Sequence, residues 1–141
     1  LGLKDANSTE MDENTPHPVI ALMENQKNIT KKGGTMRLGS WECKIESNSK
    51  VSEIYKSEII SERHRHRWEL NDNYRDELNK KGLKSCGTNP ETGLVEIIEL
   101  SSNDWFIGVQ FHPEYKSTVE CPHPLFVSFV KACLNYKKSK N

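Results

Sequence analysis

Residues 105–115 read WFIGVQFHPEY, an apolar run that ends in a histidine, a proline and a glutamate. The apolar part predicts a buried strand. Because Pro113 disfavours helical backbone at His112, the chain is expected to stay extended, and residues two apart then point the same way. Glu114 would lie beside the His112 ring, as the orienting carboxylate lies beside the base of a catalytic triad. Spacing alone leaves open that His112 ends the strand and Glu114 is solvated.

The segments on either side of this strand predict further elements. Downstream, Pro124 favours a helix start, and apolar residues at helical spacing predict a side that faces the core. That side consists of Leu125, Phe126, Phe129, Val130, Cys133 and Leu134. Upstream, residues 83–86 and 94–100 flank the turn NPETG and predict a hairpin.

The remaining pattern predicts alternating strands and helices. Strands are expected over 19–23, 35–45 and 59–70, and helices over 51–57 and 71–81, whereas residues 4–17 are polar and rich in turn formers. Asn71 or Asp72 is the expected cap of the second helix, and Gly82 the stop signal. Together these elements predict one mixed α/β domain over residues 1–141, with several antiparallel strand pairs.

Composition argues against several classes of protein. Only 34% of the residues are apolar and 28% are charged. This apolar fraction is low for a globular domain but too high for a disordered chain. Twenty basic residues balance twenty acidic ones, so the basic surplus of a nucleic-acid or membrane-surface protein is missing. With no signal peptide, no spanning segment and irregularly spaced cysteines, we expect a cytoplasmic protein with reduced thiols. Cys121 and His123 are too few for a metal site, and none is predicted.

Residues 62–70, ERHRHRWEL, form a second candidate site. A period of two places Arg63, Arg65 and Arg67 on one face of a strand, opposite the two histidines and the tryptophan. Three guanidinium groups on one face suit the capture of a carboxylate or a phosphate. An edge strand kept soluble by its charge explains the pattern equally well. The zero net charge disfavours a stripe of basic residues that binds nucleic acid.

The third candidate is GGTMRLG, residues 33–39, which nearly matches a phosphate-binding loop. Ser40 stands where the loop's lysine is needed, and the residues that follow predict a strand rather than a helix. A nucleotide-hydrolysing loop is therefore excluded. A mobile lid with the glycines as hinges fits better.

Together and in this order, NSTEM, GGTMRLG, ERHRHRWEL, LVEIIEL and VQFHPEY closely resemble the glutamine amidotransferase domain of the CTP synthases. The similarity runs from Leu1 to about Tyr136. GGTMRLG and ERHRHR followed by an aromatic residue are specific to that family, whereas the HPE element is shared with other triad-type amidotransferases. The resemblance implies a three-layer, flavodoxin-like α/β domain of class I, of which this chain would be the C-terminal part.

The resemblance also implies an activity and the residues that carry it. Members of the family hydrolyse glutamine with a Cys-His-Glu triad, and a separate synthetase domain uses the ammonia and ATP to convert UTP to CTP. His112 and Glu114 fall on the triad histidine and glutamate. Glu10 and Arg67 fall on residues that bind the substrate glutamine, where Arg67 would pair with its α-carboxylate and Glu10 with its α-ammonium group.

Partners and cofactors follow from the same resemblance. Thr35 and Arg37 fall on a lid that couples glutamine hydrolysis to GTP, the expected allosteric activator. No cofactor is implied for this portion, whereas Mg and ATP would bind the synthetase domain. That domain would also hold most of a cytosolic homotetramer. Trp68 and Met11 replace aromatic residues that are more usual in the family.

One departure concerns the nucleophile, which the family carries in a motif of the form G-[IV]-C-L-G-M-Q upstream of NSTE. These 141 residues do not contain that motif, and none of the four cysteines has the glycine-flanked setting of a nucleophile elbow. Because the chain begins at Leu1 rather than Met, we expect a piece of a CTP synthase that starts just after the nucleophile and is inactive by itself. Two alternatives stay open. One is an inactive stand-alone module that binds glutamine or has a regulatory role, and the other is a split enzyme whose cysteine lies on another polypeptide.

Overall fold

The computed structural model describes residues 1–22 and 36–140. Its elements, in chain order, are β1 (Ala6–Ser8), β2 (His17–Leu22), β3 (Arg37–Ile45), α1 (Lys50–Tyr55), β4 (Ile59–His66), β5 (Trp68–Leu70), α2 (Asp72–Lys80), β6 (Leu83–Thr88), β7 (Val95–Leu100), β8 (Ile107–Val109), a 3-10 turn (Pro113–Lys116) and α3 (Pro124–Ser139). Met23 of the first predicted strand and Gly33 to Thr35 of the predicted lid lie outside the described residues. No helix within the described ranges is both long enough and apolar enough to span a bilayer.

The strands form two sheets. The larger has the order β4-β3-β6-β7-β8, and every neighbouring pair in it is antiparallel. The smaller has the order β1-β2-β5, with β1 parallel and β5 antiparallel to β2. The hairpin predicted around NPETG is confirmed, since β6 and β7 pair across it. The mixed α/β class with antiparallel pairs is confirmed as well.

The core lies on one face of the five-stranded sheet, beneath the two helices α1 and α3. Its buried members are Cys43, Ile45, Val51, Ile60, Cys86, Ile97, Phe111 and Leu125. Close packing at its centre requires a glycine at position 87. A β-carbon there would lie 2.7 Å from Cγ1 of Ile97 and 2.8 Å from Sγ of Cys43, closer than real contacts allow.

The predicted helix signals are confirmed at α2 and α3. The side chain of Asn71 accepts a hydrogen bond from the backbone N–H of Asn73 and caps α2. Gly82, with φ of 96°, follows that helix in the left-handed region that favours glycine. Pro124 is the first residue of α3, and His123 caps it. These signals act within a few residues of each other, which is why the sequence suffices to find them.

The strand predicted over residues 59–70 is wrong as one continuous element. It breaks at Arg67, where the chain leaves the five-stranded sheet and enters the three-stranded one. The buried face changes at the break, because His64 is buried in β4 whereas Glu69 is buried in β5. The prediction that three arginines share one strand face is therefore wrong too. Arg63 and Arg65 are exposed on β4, and Arg67 is half-buried between the strands.

The predicted core-facing side of α3 is also wrong for most of its residues. Leu125 is buried, but Phe126 is 42%, Phe129 49%, Val130 56% and Leu134 55% exposed, and Cys133 is exposed too. Trp105 packs on Phe129, with ring centroids 5.0 Å apart, and the rest of that side is left open by the described part of the chain. The helical period correctly predicts an apolar side, but it cannot say whether residues of this chain cover it.

Two smaller differences concern short strands. β1 lies within the polar stretch for which no element was expected, because its pairing with β2 depends on a partner strand rather than on its own composition. β8 covers only Ile107–Val109 of the longer strand predicted over 105–111.

Candidate active site

His112 and Glu114 are in contact. Nδ1 of His112 lies 2.7 Å from Oε1 of Glu114. The backbone of His112 is extended, with φ of −110° and ψ of 92°, as Pro113 predicts. The next residues form a 3-10 turn, so the extended geometry expected through Glu114 is wrong, although the two side chains still meet. The turn achieves the contact by bringing the glutamate back beside the ring.

This contact sets the protonation pattern of the pair. The backbone N–H of Glu114 and the His112 ring lower the pKa of the Glu114 carboxyl below its usual value, so the group is ionised at neutral pH. An ionised carboxylate only accepts hydrogen bonds, and Nδ1 of His112 therefore donates. Nε2 then keeps its lone pair and can act as a general base.

Contacts with three residues of the described chain hold His112 in place. Its backbone N–H donates to the carbonyl of Arg63 at 2.9 Å. Its ring stacks on Tyr115, with centroids 5.2 Å apart and planes 28° apart. Glu114 supplies the third contact. The His112 side chain is still 36% exposed, so the ring is both oriented and accessible.

Arg67 lies in the break between β4 and β5. Its side chain is half-buried, and its Nε is buried without a hydrogen-bond partner among the described residues. The side-chain amide of Gln110, two residues before His112, donates to the carbonyl of Trp68, the residue after Arg67, at 2.9 Å. The segment that carries Arg67 is therefore bonded directly to the segment that carries His112.

Glu10 is exposed in the turn that follows β1. No hydrogen bond or ion pair joins it to Arg67 in the described ranges. The register of the three-stranded sheet nevertheless places both residues at one end of it. The N–H of Thr9 donates to the carbonyl of Ile20, and Trp68 pairs with Leu22, so the chain reaches Glu10 and Arg67 near the end of β2.

Arg37 lies at the centre of a buried ionic cluster. Its guanidinium group is 3.3 Å from Oε1 of Glu69 and 2.5 Å from Oε1 of Glu96. Nε2 of His66 lies 2.7 Å from Oε1 of Glu69, and Nδ1 of His64 lies 3.6 Å from Oε2 of Glu96. The last three residues of the lid predicted over GGTMRLG begin β3, in agreement with the strand predicted over residues 35–45. Whether the segment moves as a lid stays a prediction. Whether Arg37 takes part in a response to GTP stays a prediction, and Thr35 lies outside the described residues.

Burial shifts the pKa values of two groups in this cluster in opposite directions. Burial raises the pKa of Glu96 to about 7, against the stabilising contact with Arg37. Burial and, to a lesser extent, the charge of Arg37 lower the pKa of His64 to about 3. His64 is therefore neutral at physiological pH.

None of the described contacts of His112 is with a thiol. Cys43 and Cys86 are buried in the core. Burial raises the pKa of Cys43 to about 12 and also raises the pKa of Cys86, so both stay protonated and unreactive. Cys121 and Cys133 are exposed, the second of them on α3. The structure therefore offers no internal nucleophile for His112 among the residues it describes.

Sequence reasoning missed two sets of partly or fully buried polar residues. Gln110 is one, although its position two residues before His112 was a usable signal. The other set is Glu62, Tyr55 and His123. Nε2 of His123 lies 3.0 Å and the hydroxyl of Tyr55 3.1 Å from Oε1 of Glu62, which ties the start of α3 to β4. Burial and the charge of Glu62 raise the pKa of Tyr55.

Known proteins match this chain over nearly all of its length. The family model for class-I glutamine amidotransferases matches residues 10–132. The chain is 64% identical to the CTP synthase of Flavobacterium johnsoniae over 98% of its own length, and 61% identical to that of Christiangramia forsetii over 100%. It covers 26% of each, so it spans about a quarter of the length of these curated relatives.

A solved structure shares the fold. The glutaminase domain of Trypanosoma brucei CTPS with bound acivicin superposes with a TM-score of 0.85 at 39% sequence identity. The match covers 95% of this chain and 52% of that one. The amidotransferase fold expected from the sequence motifs is confirmed.

Proposed function

The chain belongs to the class-I glutamine amidotransferase family, and on this basis we propose that it is the C-terminal portion of the glutaminase domain of a CTP synthase. In this proposal the complete protein hydrolyses glutamine and uses the ammonia to aminate UTP to CTP. The observation that carries the proposal is the contact of 2.7 Å between Nδ1 of His112 and Oε1 of Glu114. It supplies a base and its orienting carboxylate on a scaffold of matching fold.

His112 moves the protons of the reaction at Nε2. It takes the proton of a cysteine thiol, and the thiolate attacks the amide carbon of glutamine. The protonated ring then gives its proton to the departing ammonia, leaving a thioester. Water deprotonated by His112 attacks the thioester, and glutamate and the free thiol result. Glu114 holds Nδ1–H throughout and stabilises the protonated ring. The cysteine comes from residues outside these 141.

Arg67 and Glu10 bind the two charged groups of the substrate backbone. The guanidinium group of Arg67 suits the α-carboxylate, which a planar fork can hold through two hydrogen bonds. The exposed carboxylate of Glu10 suits the α-ammonium group. Support comes from their common location at one end of the three-stranded sheet and from the Nε of Arg67, which has no hydrogen-bond partner in the described ranges.

The open side of α3 supports the same proposal. Phe126, Phe129 and Val130 form an exposed apolar strip next to a buried core, which is costly in water and typical of a covered surface. We infer that the remainder of the glutaminase domain packs there. The wider assembly belongs to the proposal too: a synthetase domain that binds ATP and Mg, GTP as activator, a homotetramer and a cytoplasmic location.

The test is His112→Ala in the full-length protein. We expect glutamine-dependent CTP formation to fall by at least about 10²-fold, because the general base is lost. The rate with added ammonia should be retained, since ammonia bypasses the hydrolysis step. His17→Ala is a matched control. His17 is the first residue of β2, at the opposite end of that strand from Arg67, and contacts Tyr74 of α2. An equal loss of both rates would show that His112 is structural and that the assignment is wrong.

The native chain length separates this proposal from an inactive stand-alone module. The intact mass of the polypeptide purified from its own source is the measurement. A mass far above 16.2 kDa agrees with a CTP synthase of ordinary size. A mass equal to 16.2 kDa would contradict the proposal and favour a module that only binds glutamine or regulates.

A further inference from the structure

Gln110 bonds to both sheets of the molecule. Its backbone N–H donates to the carbonyl of Glu96, in β7 of the five-stranded sheet, at 2.9 Å. Its side-chain Nε2 donates to the carbonyl of Trp68, in β5 of the three-stranded sheet, also at 2.9 Å. Gln110 therefore links the two sheets at this point, two residues before His112.

The bond to Trp68 falls at the break between two strands. β4 ends at His66 and β5 begins at Trp68, so Arg67 stands alone between two strands that belong to different sheets. Strand pairing holds its two neighbours, but it does not include Arg67. The position of Arg67 is thus set by what holds the residues on either side.

The ionic cluster holds the other side of the same segment. Glu69, in β5, contacts both the ring of His66 at 2.7 Å and the guanidinium group of Arg37 at 3.3 Å. Arg37 in turn contacts Glu96. Residues before and after the break are therefore tied together, and both are tied to the five-stranded sheet. These groups are almost fully buried, which makes the connection rigid.

The guanidinium group of Arg67 remains available despite this fixed backbone. Its Nε has no hydrogen-bond partner and its guanidinium group pairs with no carboxylate among the described residues. The neighbouring Arg37 pairs with two carboxylates, although its own Nε also lacks a hydrogen-bond partner there. A side chain whose backbone is held in place and whose buried Nε lacks a partner in the described chain is preorganised for an anionic ligand.

We propose that Gln110 is a positioning residue for glutamine hydrolysis, holding the Arg67 segment at the correct distance from His112. The inference rests on the proposed function, in which Arg67 holds the α-carboxylate of glutamine and His112 acts at its side-chain amide. These groups are the two ends of one substrate, so the distance between the residues that serve them must match its length. The bond from Gln110 to Trp68 connects the residue that follows Arg67 to the residue two before His112.

The test is Gln110→Met in the full-length protein, because methionine has a similar size and no N–H donor. We expect the KM for glutamine to rise about ten-fold with a smaller fall in kcat, and the rate with added ammonia to be unchanged. The rise in KM should disappear when Arg67 is already alanine, because Gln110 acts through Arg67. Gln110→Glu, which keeps the length but not the donor, should behave in the same way and serves if the methionine variant fails to accumulate.

Lys84→Met is the matched control. It uses the same replacement and removes a side-chain hydrogen bond of the same length, 2.9 Å, to the carbonyl of Asn79 at the junction of α2 and β6. Its KM for glutamine should equal that of the parent. The inference is overturned if Gln110→Met leaves the KM for glutamine unchanged. It is also overturned if the substitution raises KM by the same factor in the parent protein and in the Arg67→Ala variant. Failure of the proposed function looks different: Arg67→Ala itself would leave KM unaltered.

Discussion

The Nδ1 atom of His112 lies 2.7 Å from the Oε1 atom of Glu114, and a 3-10 turn that starts between them makes this contact. The turn has two consequences. It directs the carboxylate at Nδ1 and leaves Nε2 for chemistry, and it exposes Glu114 more than His112, with side-chain exposures of 55% and 36%. The orienting bond is therefore made at the surface of the described chain, where water competes for it.

Glu114→Gln tests the orienting role. Glutamine keeps the size of the side chain but removes the charge that stabilises the protonated ring, so glutamine-dependent CTP formation should fall about 10²–10⁴-fold. Steady-state rates with glutamine and with ammonia are the measurement, and only the first should change. Glu120→Gln, at a nearby exposed glutamate, is the control. A Glu114 variant with the parent's glutamine rate would remove Glu114 from the mechanism.

Arg67→Ala tests the substrate contact. Loss of a charged partner for the α-carboxylate should cost about 2–5 kcal/mol of binding, seen as a higher KM for glutamine. Arg65→Ala is the matched control, because Arg65 is exposed on β4 just before the break. It should leave KM unaltered. Equal effects of the two variants would contradict the placement of Arg67 apart from the exposed arginines of β4.

Glu62→Ala tests the buried cluster at the start of α3. Oε1 of Glu62 accepts from Nε2 of His123, because Nδ1 of that ring already accepts from a backbone N–H of α3. Removing the carboxylate leaves buried donors without partners, and the free energy of unfolding should fall by about 3–5 kcal/mol. Urea unfolding of the full-length protein is the measurement.

Glu58→Ala is the control for this loss. Glu58 pairs with Lys44 at 3.6 Å, but the two side chains are 72% and 58% exposed. The free energy of unfolding should change by less than about 1 kcal/mol, as is typical of surface ion pairs. Similar losses for Glu62 and Glu58 would show that burial does not decide the strength of the first pair.

His64 predicts a pH dependence of stability. Burial and the charge of Arg37 hold its folded pKa at about 3, against 6.5 in the unfolded chain. Between these values the unfolded state binds a proton that the folded state does not, so the free energy of unfolding falls as the pH falls below 6.5. Glu96 has the opposite effect on stability between about pH 7 and pH 4.5. Its raised pKa makes the folded state bind a proton that the unfolded state does not, so the free energy of unfolding rises as the pH falls.

Comparison of the parent with His64→Leu isolates the histidine. The variant keeps Glu96 and loses only the His64 titration, so its stability should fall less as the pH falls from 6.5. Chemical unfolding at pH 6.5, 5.5 and 4.5 measures the difference. Parallel curves for the two proteins would show that His64 is protonated in the folded state as readily as in the unfolded one.

The candidate site divides into parts that sequence reasoning could and could not predict. The pairing of His112 with Glu114 follows from a spacing of two residues, and although the turn between them was not foreseen, the contact was. The strand expected over residues 35–45 forms as β3, but the buried surroundings of Arg37 were not predicted. These surroundings are Glu69 and Glu96, 32 and 59 residues further along the chain, and no local pattern records which strands bring them together.

Short-range chemistry is what the amino-acid pattern settled: the cap at Asn71, the helix start at Pro124, the hairpin and the pairing of His112 with Glu114. Each depends on groups within a few residues, whose geometry the backbone constrains directly. Folding alone decided the break at Arg67 and the bond from Gln110 to Trp68. These depend on which strands become neighbours and in what register, and that choice is made by the packing energy of the whole core rather than by any one segment.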